Sequence, residues 1–183
     1  VWSADSKFLI SFRVQAADID EVHLIESSPE IGGRAILRSR TYALPGDKFP
    51  THELNIFDVT NRKQLKPAID PFESEWANPN VRWNVSNGKF TYQLVDRGHR
   101  RLRVVEVDPQ SGDVTNLIDE QSETFVWTMH TDDLQLRLLN WLEQSDELIY
   151  VSEKSGWRHL YLVSADKPGE LKPVTSGQWV VRG

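Results

Sequence analysis

Apolar residues return at every second position in a series of short runs, the pattern of strands that present alternate side chains to opposite faces. The runs are Phe8 to Phe12, Glu53 to Phe57, Lys89 to Leu94, Leu102 to Val107, Glu147 to Val151 and His159 to Val163. Turn-forming sequences separate them: Ser86-Asn87-Gly88, the stretch from Asp108 to Asp113 with Pro109 and Gly112, and Lys154-Ser155-Gly156. Only Asp132 to Glu143 carries apolar residues at helical spacing, with Leu134, Leu138, Leu139 and Leu142. Leu136 and Trp141 fit alternation equally well, and the segment is read as a strand. The pattern predicts an all-β fold.

Self-similarity narrows that class. Superposing Trp83 on Trp141 brings Phe90 onto Leu148, Tyr92 onto Tyr150, Gly98 onto Gly156, Arg100 onto Arg158, Leu102 onto Leu160 and Val104 onto Leu162, all at one offset. A third copy opens the chain, where Trp2 to Phe8 matches Trp83 to Phe90 with one residue fewer and Leu54 to Val59 matches Leu102 to Val107. In this copy the hairpin turn is replaced by an insertion running roughly from Val14 to His52, longer than a passive connection. Insertions of this kind lie on one face of a repeat assembly and often serve binding. A sandwich would show similar strands without superposing on itself. Units of four short strands that each open on a Trp are the pattern of β-propeller blades. The expected architecture is a partial β-propeller of about three four-stranded antiparallel blades, over residues 1–75, 76–133 and 134–183. A propeller needs closure, so an isolated open stack is expected to self-associate and hide its blade faces.

Charge and composition remove several alternatives. With 21 Lys and Arg against 27 Asp and Glu, the net charge of −6 excludes a general nucleic-acid binder, which needs a basic surface. The absence of Cys removes disulfides, thiolate zinc sites and a Cys nucleophile. No apolar run approaches the roughly 18 residues of a membrane span. Val1 lies inside a strand-like run without a leader pattern, so further chain is expected before it.

Chemistry-bearing motifs are sparse. There is no Gly-x-Ser-x-Gly elbow and no His-Glu-x-x-His pattern, and His23, His52, His99, His130 and His159 lack paired spacing. No catalytic residue, metal ligand or cofactor is assigned, and His159, between Trp157 and Tyr161, reads as a structural histidine. Arg97, Arg100, Arg101 and Arg103 form the one cationic cluster, which could hold a peptide carboxylate or an acidic partner through bidentate pairing. The favoured reading makes Arg101 and Arg103 the solvent face of a strand and Arg97 and Arg100 a solvated turn. Trp2, Trp83 and Trp141 share a repeat position and are assigned to packing between blades. Trp76 and Trp127 lie outside that register, and Trp127 is a minority candidate for lining a substrate cavity. Substrate-binding residues stay unassigned. Asn84-Val85-Ser86 is a glycosylation sequon in a turn expected to be exposed, and is attributed to chance.

Four blocks in order carry a family resemblance. They are Trp2-Ser-x-Asp5-Ser6-Lys7, then Tyr42 to Val59 with Pro45, Gly46, Pro50 and Asp58, then Val151 to Tyr161 with Ser152, Glu153, Gly156, Trp157, His159 and Leu160, then Thr175-Ser-Gly177-Gln-Trp179-Val-Val181. Jointly the chain resembles the N-terminal β-propeller region of dipeptidyl peptidase IV-like enzymes, in the prolyl oligopeptidase-type serine peptidase superfamily. Ala4, Ala43, Leu44, Ser155 and Val180 depart from its pattern, all in turns or flanking positions. The resemblance implies a parent serine exopeptidase that removes N-terminal dipeptides, often X-Pro or X-Ala, with the Ser, Asp and His triad on an α/β-hydrolase domain expected downstream. It implies that this region gates access and walls the substrate cavity. The family's Glu pair and Arg that hold the substrate lie upstream of the Trp2 block, so no residue here inherits those roles. The implied partners are the peptide substrate and the hydrolase domain of the same parent, in a periplasmic, secreted or membrane-tethered setting, with a cytoplasmic one as the alternative. The alternative is a non-enzymatic propeller that binds a protein or peptide through the insertion.

Overall fold

The computed structural model describes residues 1–74, 78–84, 86–128, 137–142 and 145–182. Among these residues three four-stranded antiparallel sheets follow one another along the chain, with a two-stranded ribbon between the first two strands of the first. Among the described residues no helix is long and apolar enough to cross a membrane.

The first sheet pairs β1 (Phe8–Gln15) with β4 (Thr51–Asp58) over their whole length, and β5 (Lys63–Leu65) and β6 (Phe72–Glu73) both pair with β4. Trp2 adds a bridge to Leu9. The insertion is slightly smaller than expected, because Val14 pairs with His52 and Gln15 with Thr51 before the chain departs. It carries β2 (Glu21–Glu26) and β3 (Ile36–Thr41), which among the described residues pair only with each other and leave Ile25 and Leu37 well exposed.

The second sheet has the order β10-β9-β8-β7, with β7 Arg82–Trp83, β8 Phe90–Val95, β9 Arg101–Val107 and β10 Val114–Gln121. It is buried on both faces. Phe90, Tyr92, Leu94, Val105 and Val107 pack with Ile10, Leu54 and Ile56 of the first sheet. Leu102, Val104, Leu117 and Ile118 pack with Leu148, Tyr150 and Val163 of the third. A bulge between Asn116 and Ile118 interrupts alternation, and the consecutive Leu117 and Ile118 are both buried.

The third sheet has the order β11-β12-β13-β14, from Leu139–Trp141, Glu147–Ser152, His159–Ser164 and Lys172–Pro173. The segment read as a strand over Asp132 to Glu143 supplies β11 at Leu139–Trp141, while residues 132–136 and 143 lie outside the described residues. Trp83 pairs with Phe90 and Trp141 with Leu148, so the repeat holds in register at its opening strands. It slips at the hairpin. The second sheet closes on Val95 and Leu102, the third on Ser152 and His159, one residue earlier in each arm. Leu160 and Leu162 therefore sit two positions from their expected partners along β13. A slip of two keeps every side chain on its original face.

The repeated Trp residues pack as the repeat requires. Trp83 lies against the cluster shared with the first sheet and Trp141 against the cluster shared with the second. Trp2, at the same position in the first sheet, is 54% exposed, and Trp76 lies outside the described residues. The sequon asparagine is not exposed as expected. Asn84 is 1% exposed because its amide accepts from Arg82 Nη1 at 2.6 Å and donates to the buried Glu106 carboxylate at 3.2 Å. Lys89 Nζ closes the same network on Glu106 at 2.9 Å, and this hydrogen bond raises its pKa above the ordinary lysine value.

Candidate functional site

The turns that join β8 to β9 and β12 to β13, the segment 122–128 and the return of the insertion are tied into one surface. The β8–β9 turn is held by Asp96 N–H donating to the Arg101 carbonyl at 3.0 Å and His99 N–H to the Asp96 carbonyl at 2.9 Å. Gly98 and His99 take φ of 83° and 55°, the left-handed region that suits Gly and is uncommon for His. His99 is compensated: its ring stacks on Phe125 at 5.6 Å, Nδ1 lies 2.8 Å from Thr128 Oγ1, and its carbonyl accepts Val126 N–H at 2.7 Å.

The arginine cluster is dispersed by this geometry. Arg97 Nη1 donates to the Asp47 carbonyl at 2.5 Å and its guanidinium lies 4.3 Å from the Phe49 ring, so it clamps the end of the insertion to the hairpin. Arg100 is exposed. Arg101 grips Asp119 with two hydrogen bonds of 2.7 Å, which hold that carboxyl below the usual aspartate range. Arg103 pairs with Asp96. Arg101 and Arg103 share a strand face with the buried Val105 and Val107, not a solvent face as expected, because the second sheet lies between two others. Replacing Arg97 by Ala is expected to loosen the insertion's return, with amide exchange over residues 44–50 accelerating about fivefold, the factor set by ~1 kcal/mol of lost tethering. Unchanged exchange would show that Phe49 and its neighbours hold the segment without it.

Trp127 meets the protein's own chain. It is half-buried against the core between the second and third sheets, with the Arg158 guanidinium 4.3 Å from its ring and Arg158 paired to Glu153 at 3.0 Å. His159 is 2% exposed; its Nε2 lies 2.9 Å from the Gly177 carbonyl, which requires that nitrogen to carry the proton. Thr175 Oγ1 then donates to Nδ1 at 3.1 Å while accepting Leu160 N–H at 3.0 Å.

A cleft of about 370 Å³ opens beside this surface, between Phe49, Phe72, Glu73, Leu94, Arg97 and His99. Three hydroxyl–imidazole pairs occur among the described residues, Thr128 with His99 and Ser39 with His23, each at 2.8 Å, and Thr175 with His159 at 3.1 Å. None of these imidazoles meets a carboxylate among the described residues, so none forms a nucleophile–base–orienter series. No group of three His, Asp or Glu side chains among the described residues has metal-binding spacing. Beyond the Asn84 network, sequence reasoning missed Glu120, which accepts from Tyr150 OH at 2.9 Å and Ser152 Oγ at 2.6 Å across the sheets, and the stacking of Arg82 over the Trp141 ring at 4.2 Å. Nothing in local sequence signals either, since each joins different repeats.

Comparison with known proteins places this geometry. A probable dipeptidyl peptidase 4 of Aspergillus flavus is 28% identical over 137 residues, covering 72% of this chain and 17% of that protein. A dipeptidyl peptidase 4 of Trichophyton rubrum is 24% identical over 137 residues, covering 73% of this chain and 17% of that protein. The chain thus spans about a sixth of the length of these relatives. The crystal structure of Porphyromonas gingivalis dipeptidyl peptidase 4 superposes with a TM-score of 0.68 at 22% identity, covering 98% of this chain and 24% of that one, and shows the shared propeller fold. The model of the dipeptidyl peptidase IV N-terminal region matches residues 1–183, and the chain belongs to that family.

Proposed function

We propose that this chain is the gating and cavity-wall region of a dipeptidyl peptidase IV-like serine exopeptidase that removes N-terminal dipeptides, often X-Pro or X-Ala. In this reading the chemistry belongs to an α/β-hydrolase domain of the same protein, and the described residues limit and shape access to it. The observation that carries the reading is the family match over residues 1–183. The stacked sheets give it a physical basis: two continuous apolar interfaces make a rigid wall, and the insertion and hairpin turns are presented at its edge. The test is cleavage of an X-Pro chromogenic amide by the intact protein that carries this chain, with the 183-residue chain alone as control. Release of chromophore by the intact protein and none by the chain is expected. Absence of cleavage in both would overturn the reading in favour of a propeller that binds a partner without processing it.

A further inference from the structure

Between the second and third sheets lies a cleft of about 430 Å³ that includes Asn80, Arg82, Gln93, Arg137 and Trp141. Arg82 is held on one side by the neutral Asn84 carbonyl oxygen at 2.6 Å and on the other by the Trp141 ring, 4.2 Å from its guanidinium carbon. Among the described residues no carboxylate lies within ion-pairing distance of it, and partial burial lowers its pKa below the ordinary arginine value. Asp146 acts on it from beyond that distance and partly offsets the lowering, while its carboxylate accepts from Ser86 Oγ. An arginine that is half-buried, covered by an indole and without an ion-pair partner among the described residues has donors to spare. Such a guanidinium is oriented for a planar acceptor before the acceptor arrives. Arg137 brings a second cation to the same cleft, while Asn80 and Gln93 add amides that can bond the remaining lone pairs.

We propose that this cleft is a carboxylate-binding site for peptides, in which Arg82 makes the bidentate contact and Arg137 adds the second charge. A peptide offers that group either as an acidic side chain or as its C-terminal carboxylate. The site lies between β7 and β11 and is independent of whether the intact protein cleaves peptides.

The test follows the Trp141 indole N–H resonance of the 183-residue chain, assigned by comparison with Trp141→Phe, during titration with two capped peptides. One is N-acetylated and C-amidated with a single Glu; the other is N-acetylated triglycine with a free C-terminus. A saturable shift with either or both is expected, and the arm that responds names the source of the carboxylate. Arg82→Gln, which keeps an amide donor for Asn84, should weaken binding at least tenfold and Arg137→Gln about threefold. Arg40→Gln on the distant ribbon should change nothing, and the melting temperature of each variant checks its fold. A folded Arg82→Gln variant that binds as tightly as the parent would overturn the assignment, as would the absence of a saturable shift in the parent with both peptides.

Discussion

Replacing Tyr150 by Ala should lower the unfolding free energy by about 3–5 kcal/mol in urea denaturation, the range for truncating a large buried side chain. Tyr150 is 0% exposed and sits where Leu102, Val104, Leu117 and Ile118 of the second sheet meet Leu148 and Val163 of the third. Ala leaves a cavity between two β-sheets that cannot close without shifting both. The conservative change separates packing from polarity. Tyr150→Phe keeps the ring and loses the hydroxyl that donates to Glu120, which retains Ser152 Oγ at 2.6 Å, so about 1–2 kcal/mol is expected. Glu120→Ala leaves the buried Tyr150 hydroxyl without an acceptor and should cost a similar amount. If Phe proves as damaging as Ala, the interface is held by its hydrogen bond and not by its packing. If Ala costs less than about 1 kcal/mol, the two sheets do not share a core.

The second large effect is alkaline unfolding. Burial raises the pKa of Tyr92 and Tyr150 well above the ordinary 10.0, and for Tyr150 the Glu120 carboxylate adds to the rise. The hydrogen bond to Glu106 raises Lys89 above 10.5. In each case the folded chain holds the proton more tightly than the unfolded chain. Their contribution is therefore complete below pH 10.0 and is lost as pH rises beyond it, when the unfolded chain releases protons that the folded chain keeps. The melting temperature should fall steeply from that pH upward. Tyrosinate absorbance from these two residues should appear together with the loss of β-sheet circular dichroism. Tyr92→Phe gives the sharper test. Its hydroxyl is buried without a hydrogen-bond partner among the described residues, so Phe should match or exceed the parent in stability at neutral pH and should soften the alkaline fall. Ionisation of all the tyrosines with circular dichroism intact would contradict this account.

Much of the architecture was legible because its cause is local. A strand buried on one or both faces must alternate or run apolar, and turns need Gly, Asn, Asp or Pro, so β1, β4, β8, β9, β12 and β13 announce themselves. The repeat was legible because each unit solves the same packing problem, with Trp83 and Trp141 set against a preceding sheet. The shift at the β12–β13 hairpin was hidden, since a two-residue slip preserves every face and leaves no mark on the apolar pattern.

The candidate sites divide along the same line. The arginine-rich turn could be found as a cluster, yet its dispersal onto Asp47, Phe49, Asp119 and Asp96 depends on which strands and loops stand opposite, and those partners lie up to 50 residues away. The same holds for Trp127, whose place under Arg158 needed the third sheet, and for Asn84, whose turn sequence looks exposed until Glu106 comes across from β9. By itself the sequence determined the strands, the repeat, the insertion and the family, because backbone periodicity and turn chemistry are properties of neighbours in the chain. Only the tertiary structure decided which charges are neutralised and which, like Arg82, are left facing a cleft. Coulombic and π contacts act through a few ångströms of space, and the distance between residues along the sequence does not enter them.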